Sequence, residues 1–234
     1  MFNKLTDLNI NLTKEKKELF EKYIEAFYNY NAITNLISKN DEKVLFEKHI
    51  FDSLAINLFL EKHNLKQNIN LLDIGTGGGF PSLPISLAFD NIHTTALDSI
   101  KKKIKFIEKT KEELNLGNID PVCARAEELN SEKRNSFDVV TSRAMAELRI
   151  ILEYAIPYVK VGGYFVAYKS LKANEEIENA KNALKELNSK VVDIIEYDLP
   201  LEENTKRVLI VIKKEKVTKS IYPRQNGLIS KKPL

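Results

Sequence analysis

The chain has 234 residues, of which 43% are hydrophobic and 29% are charged, and its formal net charge is +3. This length and composition predict one sizeable globular domain with an appendage. No apolar run approaches the roughly 20 residues of a membrane span, and the N-terminus lacks the apolar core of a signal peptide. We therefore expect a soluble cytoplasmic protein without a membrane partner.

The cysteine and histidine content argues against disulfides and metals. Cys123 is the only cysteine, so no internal disulfide can form, and a reducing compartment fits. The three histidines, His49, His63 and His93, do not cluster with Cys123 at the spacing of a metal site, which predicts that no metal is bound.

Positive charge is concentrated at the C-terminal end. Residues 213–234 hold seven lysines and arginines against one glutamate, a net charge of +6, so residues 1–212 carry −3 of the total of +3. A mildly acidic body with a basic tail predicts that the tail contacts a polyanion. Composition leaves open the alternative that the tail is only a solvated, solubilising segment.

Residues 1–65 are predicted to be helical. Thr13 is expected to cap a helix, because apolar residues follow it at spacings of three and four. Asp41 is expected to cap a later helix, on which His49 and Asp52 lie one turn apart. We expect these two residues to form a structural polar pair near a ligand entrance. The aromatic residues of this segment are expected to pack on the main sheet rather than to stack on bases.

Four of the eight glycines fall between positions 75 and 79. An apolar strand precedes them and an apolar helix follows, the arrangement of a nucleotide-type binding turn. Asp73, Gly75, Gly77 and Gly79 have the spacing D-x-G-x-G-x-G, which matches neither the dinucleotide fingerprint nor the P-loop. An acid that ends the first strand, followed by alternate glycines, is typical of a site for S-adenosylmethionine. An ordinary strand–helix turn would need only one or two glycines.

Residues 69–170 alternate between predicted strands and helices, which indicates a parallel sheet with right-handed crossovers. The second strand ends in Asp98, about 20 residues beyond the glycine loop, where these folds hold a ribose hydroxyl pair. Asp98 therefore strengthens the prediction of an adenosyl ligand. The lysine-rich helix that follows is expected to present a solvated face and to end at Gly117.

The third and fourth strands carry the next candidates. Cys123 lies on the third strand, away from the expected site of methyl transfer. It is predicted to be an inert buried residue rather than a nucleophile. The fourth strand ends in Ser142-Arg143-Ala144, at the end of the sheet where ligand chemistry occurs. The [DN]-P-P-[FY] motif of exocyclic amine methylation is absent there. Arg143 is either a structural cation at the strand end or a contact to the substrate or the donor carboxylate.

A fifth strand follows Gly162-Gly163, and residues 191–195 and 207–212 predict two more strands in an antiparallel edge. The predicted fold is therefore a Rossmann-like class I S-adenosylmethionine methyltransferase, with a mostly parallel seven-stranded sheet, a reversed last strand and N-terminal helices. The predicted parts are residues 1–65, a helical extension packed on the core, residues 66–213, the methyltransferase core, and residues 214–234, a basic tail that is mobile when unbound.

In its motifs the chain resembles the bacterial glucose-inhibited division protein B family, whose members methylate N7 of a guanine in 16S ribosomal RNA. The glycine loop alone is generic, whereas Phe80-Pro81-Ser82-Leu83-Pro84 together with Ser142-Arg143-Ala144 is much more specific. Further matches keep their order over nearly the full length: residues 31–36, 48–53, 97–99, 125–127, Lys169, 222–224 and 231–234.

This resemblance implies S-adenosylmethionine-dependent methylation of N7 of one specific guanine in 16S ribosomal RNA. Arg143 is implied at the junction of donor and substrate, with Arg125 and Lys169 near the RNA, and these three are the predicted catalytic residues. The implied partner is 16S ribosomal RNA, the small ribosomal subunit or an assembly intermediate, bound by a monomer. The implied donor-binding residues are Asp73, Gly75, Gly77, Gly79, Phe80, Asp98, Ala126, Glu127 and Arg143.

The chemistry agrees with the resemblance. Guanine N7 is an in-plane lone pair without a proton to remove, so no general base is required and none is evident. Catalysis would rest on holding N7 and the methyl group in line, with Arg143 or Arg125 on O6. Two alternatives stay open at this point: an S-adenosylmethionine methyltransferase acting on a small molecule or a protein, and a nucleotide-binding module without turnover.

Overall fold

Seven strands form one sheet in the computed structural model, which describes residues 1–65, 67–170, 172–201 and 206–234. The strands are β1 Ile69–Ile74, β2 Ile92–Asp98, β3 Ile119–Cys123, β4 Phe137–Arg143, β5 Val159–Lys169, β6 Ser189–Asp198 and β7 Lys206–Lys214. Their order is β3-β2-β1-β4-β5-β7-β6, and β7 runs antiparallel to both of its neighbours. The predicted mostly parallel sheet with a reversed last strand is confirmed.

The sheet brings three strand ends together at one edge. β1 has β2 on one side and β4 on the other, and all three run in parallel. In open α/β sheets, ligands bind outside the carboxyl ends of the strands at the point where the strand order reverses. The glycine loop follows β1, Asp98 ends β2 and Arg143 ends β4, so the topology places these features around one crevice.

Helices cover both faces of the sheet. The first residue of the predicted core, residue 66, lies outside the described residues. A π-helical segment, Phe46–Phe51, joins the second and third α-helices, and short 3-10 turns occur elsewhere, including Ala126–Glu128. The α-helices are α1 Lys14–Thr34, α2 Lys39–Glu42, α3 Asp52–Leu54, α4 Ile56–Lys62, α5 Ser82–Ala88, α6 Lys101–Glu113, α7 Leu148–Ala155, α8 Ala173–Asn179, α9 Lys181–Glu186 and α10 Asn226–Lys231.

The N-terminal helices contribute to the same core as the sheet. Thr13 caps α1 as predicted, accepting a hydrogen bond from Lys16 N–H at 3.3 Å. The cap of α2 is Ser38 rather than the predicted Asp41, because Asp41 N–H donates to Ser38 Oγ at 3.1 Å. Phe27 on α1 is fully buried, and its ring centroid lies 5.3 Å from that of Phe80 next to the glycine loop. Aromatic packing therefore joins α1 to the sheet.

Two local predictions are wrong. Helix α6 ends at Glu113 rather than at Gly117, and Asn115 takes the left-handed conformation with a φ of 52°. Asparagine tolerates this conformation better than most residues, so the turn does not need the glycine. Cys123 is exposed rather than buried, because it lies at the end of β3, which is an edge strand.

The C-terminal segment folds back onto the body of the protein, contrary to the predicted mobile tail. Tyr222 and Ile229 are buried in the core cluster that includes α7. Arg134 donates hydrogen bonds to the carbonyl oxygens of Tyr222 and Lys219. Two buried side chains and the hydrogen bonds from Arg134 therefore contribute to offsetting the entropy lost on ordering this segment.

Two negative findings apply to the described part of the chain. No helix there is both long enough and apolar enough to cross a membrane. Nor does that part contain a group of three or more histidine, cysteine, aspartate or glutamate side chains placed to hold a metal ion.

Candidate active site

The loop between β1 and α5 needs glycine for two different reasons. Gly75, Gly77 and Gly79 have positive φ angles of 75°, 59° and 89°, which L side chains rarely adopt. A Cβ atom at Gly79 would lie 2.4 Å from Leu83 Cδ1, whereas one at Gly75 would lie 3.0 Å from Met145 Sδ. Gly79 therefore permits close packing of α5, and Gly75 permits the close approach of Met145.

Asp73 supports this loop from the interior. Its buried carboxylate accepts hydrogen bonds from Ser82 Oγ at 2.6 Å and from Thr141 Oγ1 at 3.3 Å, and Thr76 Oγ1 lies 2.8 Å from Ser82 Oγ. Burial raises the pKa of the Asp73 carboxyl to about 6, against the opposing effect of these hydrogen bonds and of the Arg143 charge. Asp73 thus connects β1, the loop, α5 and β4.

Asp98 connects the end of β2 to the same loop. Its Oδ2 accepts a hydrogen bond from Gly77 N–H and its Oδ1 accepts one from Ile100 N–H, both at 2.9 Å. Lys103 Nζ lies 3.8 Å from Oδ2. A carboxylate has about four lone-pair positions, so Asp98 holds the loop and keeps acceptor capacity for a ligand in the cavity that it lines.

A cavity of about 390 Å³ opens beside the glycine loop, and we call it the donor cavity. Leu97, Ile100 and Ala126 give it apolar walls, and Asp98 gives it a carboxylate. This combination fits an adenosyl group, which offers an apolar base and a pair of ribose hydroxyl donors. The predicted site residues that line it are Gly75, Asp98, Arg125, Ala126 and Glu127.

Sequence patterns did not predict several residues of the donor cavity, including Lys103, Met145 and Tyr154. Lys103 lies on the helix face that was predicted to be solvated, and it approaches Asp98 instead. Met145 follows Arg143 closely, so its position after β4 was a usable signal. Tyr154 lies on α7, and no local pattern connects it to the glycine loop.

A second cavity, of about 590 Å³, lies at the carboxyl ends of β4 and β5 and is called the substrate cavity. Ala144 and Met145 line both cavities. The residues directly after Arg143 therefore separate a space suited to an adenosyl group from a space lined by charged side chains. The charged residues of the substrate cavity are Asp41, Lys48, Asp52, Arg143, Glu147, Lys169, Glu176 and Arg207.

Arg143 is held in this wall by three acceptors from the N-terminal helices. Its Nη1 donates to Asp52 Oδ2 at 2.8 Å and to the Lys48 carbonyl oxygen at 3.1 Å, and its Nη2 donates to His49 Nδ1 at 2.7 Å. Tyr197 Oη donates to the other Asp52 oxygen at 2.6 Å. His49 and Asp52 were predicted as a pair with each other, whereas the structure shows both as partners of Arg143.

His49 accepts a hydrogen bond and is uncharged in this arrangement. Burial and the positive charge of Arg143 lower the pKa of His49 to about 3. Because Nδ1 accepts from Arg143, the neutral ring carries its proton on Nε2. The imidazole also packs on Phe80, with ring centroids 5.0 Å apart, and the Arg143 guanidinium lies 5.4 Å from the Phe80 ring centroid. Phe80 is thus a buried support for this pair.

Lys169 anchors the segment that separates the two cavities. Its Nζ donates to the Ala146 carbonyl oxygen at 2.5 Å and pairs with Glu176 Oε2 at 2.6 Å. The same Glu176 oxygen accepts from Leu148 N–H at 2.7 Å, at the start of α7. Lys169 and Arg143 both line the substrate cavity, whereas Arg125 lines the donor cavity.

Ala144 has an unusual backbone conformation in this segment. Its φ is 54°, and the other non-glycine residues with positive φ in the described chain are all asparagines. An alanine in this region costs about 1–2 kcal/mol, and such strain is concentrated at functional sites. The Lys169–Glu176 contacts supply the support that keeps this turn in place.

Sequence comparison identifies the family to which this geometry belongs. The pattern of the family described as rRNA small subunit methyltransferase G matches residues 16–206. This range includes β1 to β6, the glycine loop and the residues directly after Arg143. The chain belongs to the rRNA small subunit methyltransferase G family. Family membership confirms the resemblance found in the motifs and the predicted enzyme class, an S-adenosylmethionine-dependent ribosomal RNA methyltransferase.

Relatives in this family are similar over nearly the whole chain. The Ribosomal RNA small subunit methyltransferase G of Alkaliphilus oremlandii (strain OhILAs) is 40% identical over 229 residues, 97% of this chain and 94% of that protein. The protein of the same name from Streptococcus pneumoniae (strain ATCC BAA-255 / R6) is 39% identical over 235 residues, 100% of this chain and 98% of that protein. The likeness therefore extends beyond residues 16–206 into the C-terminal segment.

A solved structure with lower sequence identity shares the fold. A SAM dependent methyltransferase from Aquifex aeolicus superposes with a TM-score of 0.55 at 17% identity, covering 78% of this chain and 97% of that one. The predicted Rossmann-like methyltransferase fold is thereby confirmed.

Proposed function

We propose that this protein transfers a methyl group from S-adenosylmethionine to N7 of one specific guanine in 16S ribosomal RNA. The observation that carries the proposal is the meeting of the donor and substrate cavities at Ala144 and Met145, next to Arg143. A methyl donor and a base held in these cavities would face each other across two residues. That arrangement supplies the proximity and alignment that methyl transfer requires.

The donor cavity is the proposed binding site for S-adenosylmethionine. Asp98 would accept hydrogen bonds from the ribose, and Ala126 and Glu127 would lie along the base. Gly75 and Gly77 would let the ligand approach the loop backbone, while Asp73, Gly79 and Phe80 would act indirectly by fixing that loop. When bound, S-adenosylmethionine supplies an electrophilic methyl group on a sulfonium.

Arg143 is the residue proposed to recognise the guanine. An arginine has five N–H donors, and Lys48, His49 and Asp52 accept three hydrogen bonds from it, so two donors keep no partner among the described residues. They suit O6 of guanine, the acceptor that arginine reads beside N7. Adenine presents an amino group at this position, so two arginine donors would disfavour it.

The reaction needs positioning rather than proton transfer. N7 of guanine has no proton to lose, and the His49 Nδ1 atom is occupied by Arg143. The low pKa of His49, about 3, also keeps it neutral at physiological pH. Lys169 would hold the 144–146 segment against the reacting centre. The substrate cavity would therefore position the guanine with the Arg143 cation and with this segment, and it would not supply a base.

Contacts to the rest of the RNA are assigned to cations at the rims of the two cavities. The Lys169 ammonium is paired with Glu176, so these cations are Arg125 at the edge of the donor cavity and Arg207 in the substrate cavity. Such side chains suit phosphate and sugar contacts, which position RNA without reading its sequence. The base must be accessible, which favours a loop in the RNA, the small subunit or an assembly intermediate as substrate.

We also propose the organisation in which the enzyme works. It would act as a cytoplasmic monomer, with residues 1–65 as an extension that supplies the partners of Arg143. Residues 66–213 would form the methyltransferase core, and residues 214–234 a basic C-terminal segment. The hydrogen bonds from Arg143 to His49 and Asp52 support this role for the extension.

The test maps N7-methylguanine in 16S ribosomal RNA from cells with and without this protein. We expect one guanine to lose its methyl group in the deletion strain and to regain it with the wild-type chain. The Arg143→Ala variant should fail to restore it. An unchanged methylation map would contradict the proposal and favour a small molecule or a protein as substrate.

A further inference from the structure

The C-terminal segment is attached to α7 by a buried ion pair. Glu153 on α7 is fully buried, and Arg224 donates to it from its backbone N–H at 2.9 Å, from Nε at 2.7 Å and from Nη2 at 2.6 Å. A bidentate arginine–carboxylate pair with a third hydrogen bond is geometrically specific. Removing either partner of such a pair leaves a buried charge uncompensated.

The residue next to Glu153 belongs to the donor cavity. Tyr154 lines that cavity. Burial raises the pKa of the Tyr154 hydroxyl, and the neighbouring Ser230 side chain of α10 opposes that rise, which places the two side chains close together. Ile229, directly before Ser230, is fully buried in the core cluster that also contains Tyr154. Two consecutive residues of α7 are therefore held by the C-terminal segment.

The same segment also lies beside another part of the donor cavity wall. Arg125 and Glu127 line the donor cavity and also line an adjoining cavity of about 440 Å³ together with Pro223, Arg224 and Gln225. The C-terminal segment thus borders both Tyr154 and the 125–127 turn.

We propose that Arg224 and Ser230 are positioning residues for the methyl donor, which act by holding Tyr154 and the 125–127 turn as one wall of the donor cavity. This inference rests on the proposed donor site. Arg224 is consequently an internal structural cation, and its charge is committed to Glu153 instead of to phosphate. Loss of the C-terminal segment would therefore weaken donor binding before any RNA is added.

The experiment measures the affinity for S-adenosylhomocysteine by titration calorimetry, with no RNA present. We expect Arg224→Gln to weaken binding about tenfold, equivalent to about 1.4 kcal/mol, and Ser230→Ala to weaken it by a smaller factor. Lys216→Gln is the matched control, because it removes one positive charge from an exposed side chain of the same segment. Its affinity should equal that of the wild type.

Thermal unfolding of each variant separates positioning from folding. A variant that unfolds at a lower temperature but binds S-adenosylhomocysteine like the wild type at 20 °C would overturn the inference, because a purely structural role predicts that result. If Arg224→Gln does not fold, Ser230→Ala and Arg224→Lys decide in the same way. A wild type that does not bind S-adenosylhomocysteine would instead refute the proposed donor site, so the two failures are distinguishable.

Discussion

Arg143 shows at the scale of single residues how a strand-end arginine acquires a fixed orientation. Its carboxylate partner, Asp52, lies 91 positions away in the sequence. The planar guanidinium meets a carboxylate, an imidazole and a carbonyl at once, which a lysine ammonium cannot reproduce in the same geometry. A positive charge at position 143 is therefore not sufficient, because the contacts also need the planar shape of the guanidinium.

Replacing Arg143 with lysine tests that argument. We expect Arg143→Lys to lower the rate of RNA methylation about a hundredfold, the effect of removing an aligned hydrogen-bond donor from a reaction site. Donor affinity should stay unchanged, because Asp98 and the glycine loop are untouched. Single-turnover methylation of 16S RNA measures the rate, and Arg149→Lys, a change of the same kind outside the cavities, is the control. Equal rates for both variants would remove the fork geometry from the mechanism.

Asp73 makes the stability of the protein depend on pH in a defined direction. Its pKa is raised from 3.8 to about 6 in the folded state, chiefly by burial, so the folded protein holds this proton more tightly than the unfolded chain. The resulting contribution to stability is present below about pH 4 and is lost as the pH rises through 6.

The Asp73→Asn variant lacks this titration. Comparing its unfolding free energy with that of the wild type therefore isolates the contribution of the Asp73 carboxyl. Between pH 5 and pH 7, we expect the wild type to lose about 1 kcal/mol of unfolding free energy relative to Asp73→Asn. Urea denaturation of both proteins at several pH values measures the difference, in which other titrating groups cancel. A difference that does not vary with pH would mean that the Asp73 carboxyl titrates normally in the folded state.

At the scale of elements, the glycine loop combines a conformational need with a packing need. Gly77 and Gly79 both have positive φ. The nearest atom to a Cβ at Gly77 is the Gly75 carbonyl oxygen at 3.9 Å, whereas a Cβ at Gly79 meets Leu83 at 2.4 Å. The two positions therefore share the backbone strain and differ in the steric clash.

This difference predicts unequal costs for two identical substitutions. Gly79→Ala should lower the free energy of unfolding by about 1–3 kcal/mol more than Gly77→Ala, the usual range for overpacking a core. Urea denaturation midpoints measure both effects, and Gly77→Ala serves as the control for the strain at positive φ. Equal costs would show that Leu83 moves aside and that the loop tolerates a side chain at position 79.

At the scale of the whole molecule, the structure changes the meaning of the basic C-terminal segment. Lys214 is fully buried, where its Nζ donates to carbonyl oxygens of residues 156 and 159. Arg224 is committed to Glu153, and Lys219 pairs with Glu186 at 3.2 Å. Lys216, Lys231 and Lys232 are exposed and remain the better candidates for phosphate contacts.

The exposed lysines of this segment should control the salt dependence of RNA binding. Replacing Lys216, Lys231 and Lys232 with glutamine is expected to reduce the slope of log affinity against log salt by about 2, at roughly 0.7 per single-stranded phosphate contact. Filter binding of 16S RNA at several salt concentrations measures the slope. A triple glutamine variant at Lys181, Lys185 and Lys190 is the matched control. If the two triple variants have equal slopes, the C-terminal segment has no specific role in RNA binding.

Local sequence patterns indicate some elements of this protein correctly and others not. The glycine loop, the alternation of strands and helices and the position of Asp98 follow from local signals: glycine spacing, apolar runs and an acid at a strand end. The exposure of Cys123 was missed because burial depends on which strand lies at the sheet edge. The docking of residues 222–231 was missed because it depends on Glu153, whose burial no short pattern reveals.

Residue types and their spacing were enough to predict the fold class, the family and the glycine loop, because each of these depends on local patterns along the chain. Which residues meet is visible only in the folded protein: His49 and Asp52 contact Arg143, Met145 lies next to Gly75, and Arg224 pairs with Glu153. The physical reason is that these contacts join residues that are distant along the chain. Their geometry is set by how the helices pack on the sheet, and no local spacing records that packing.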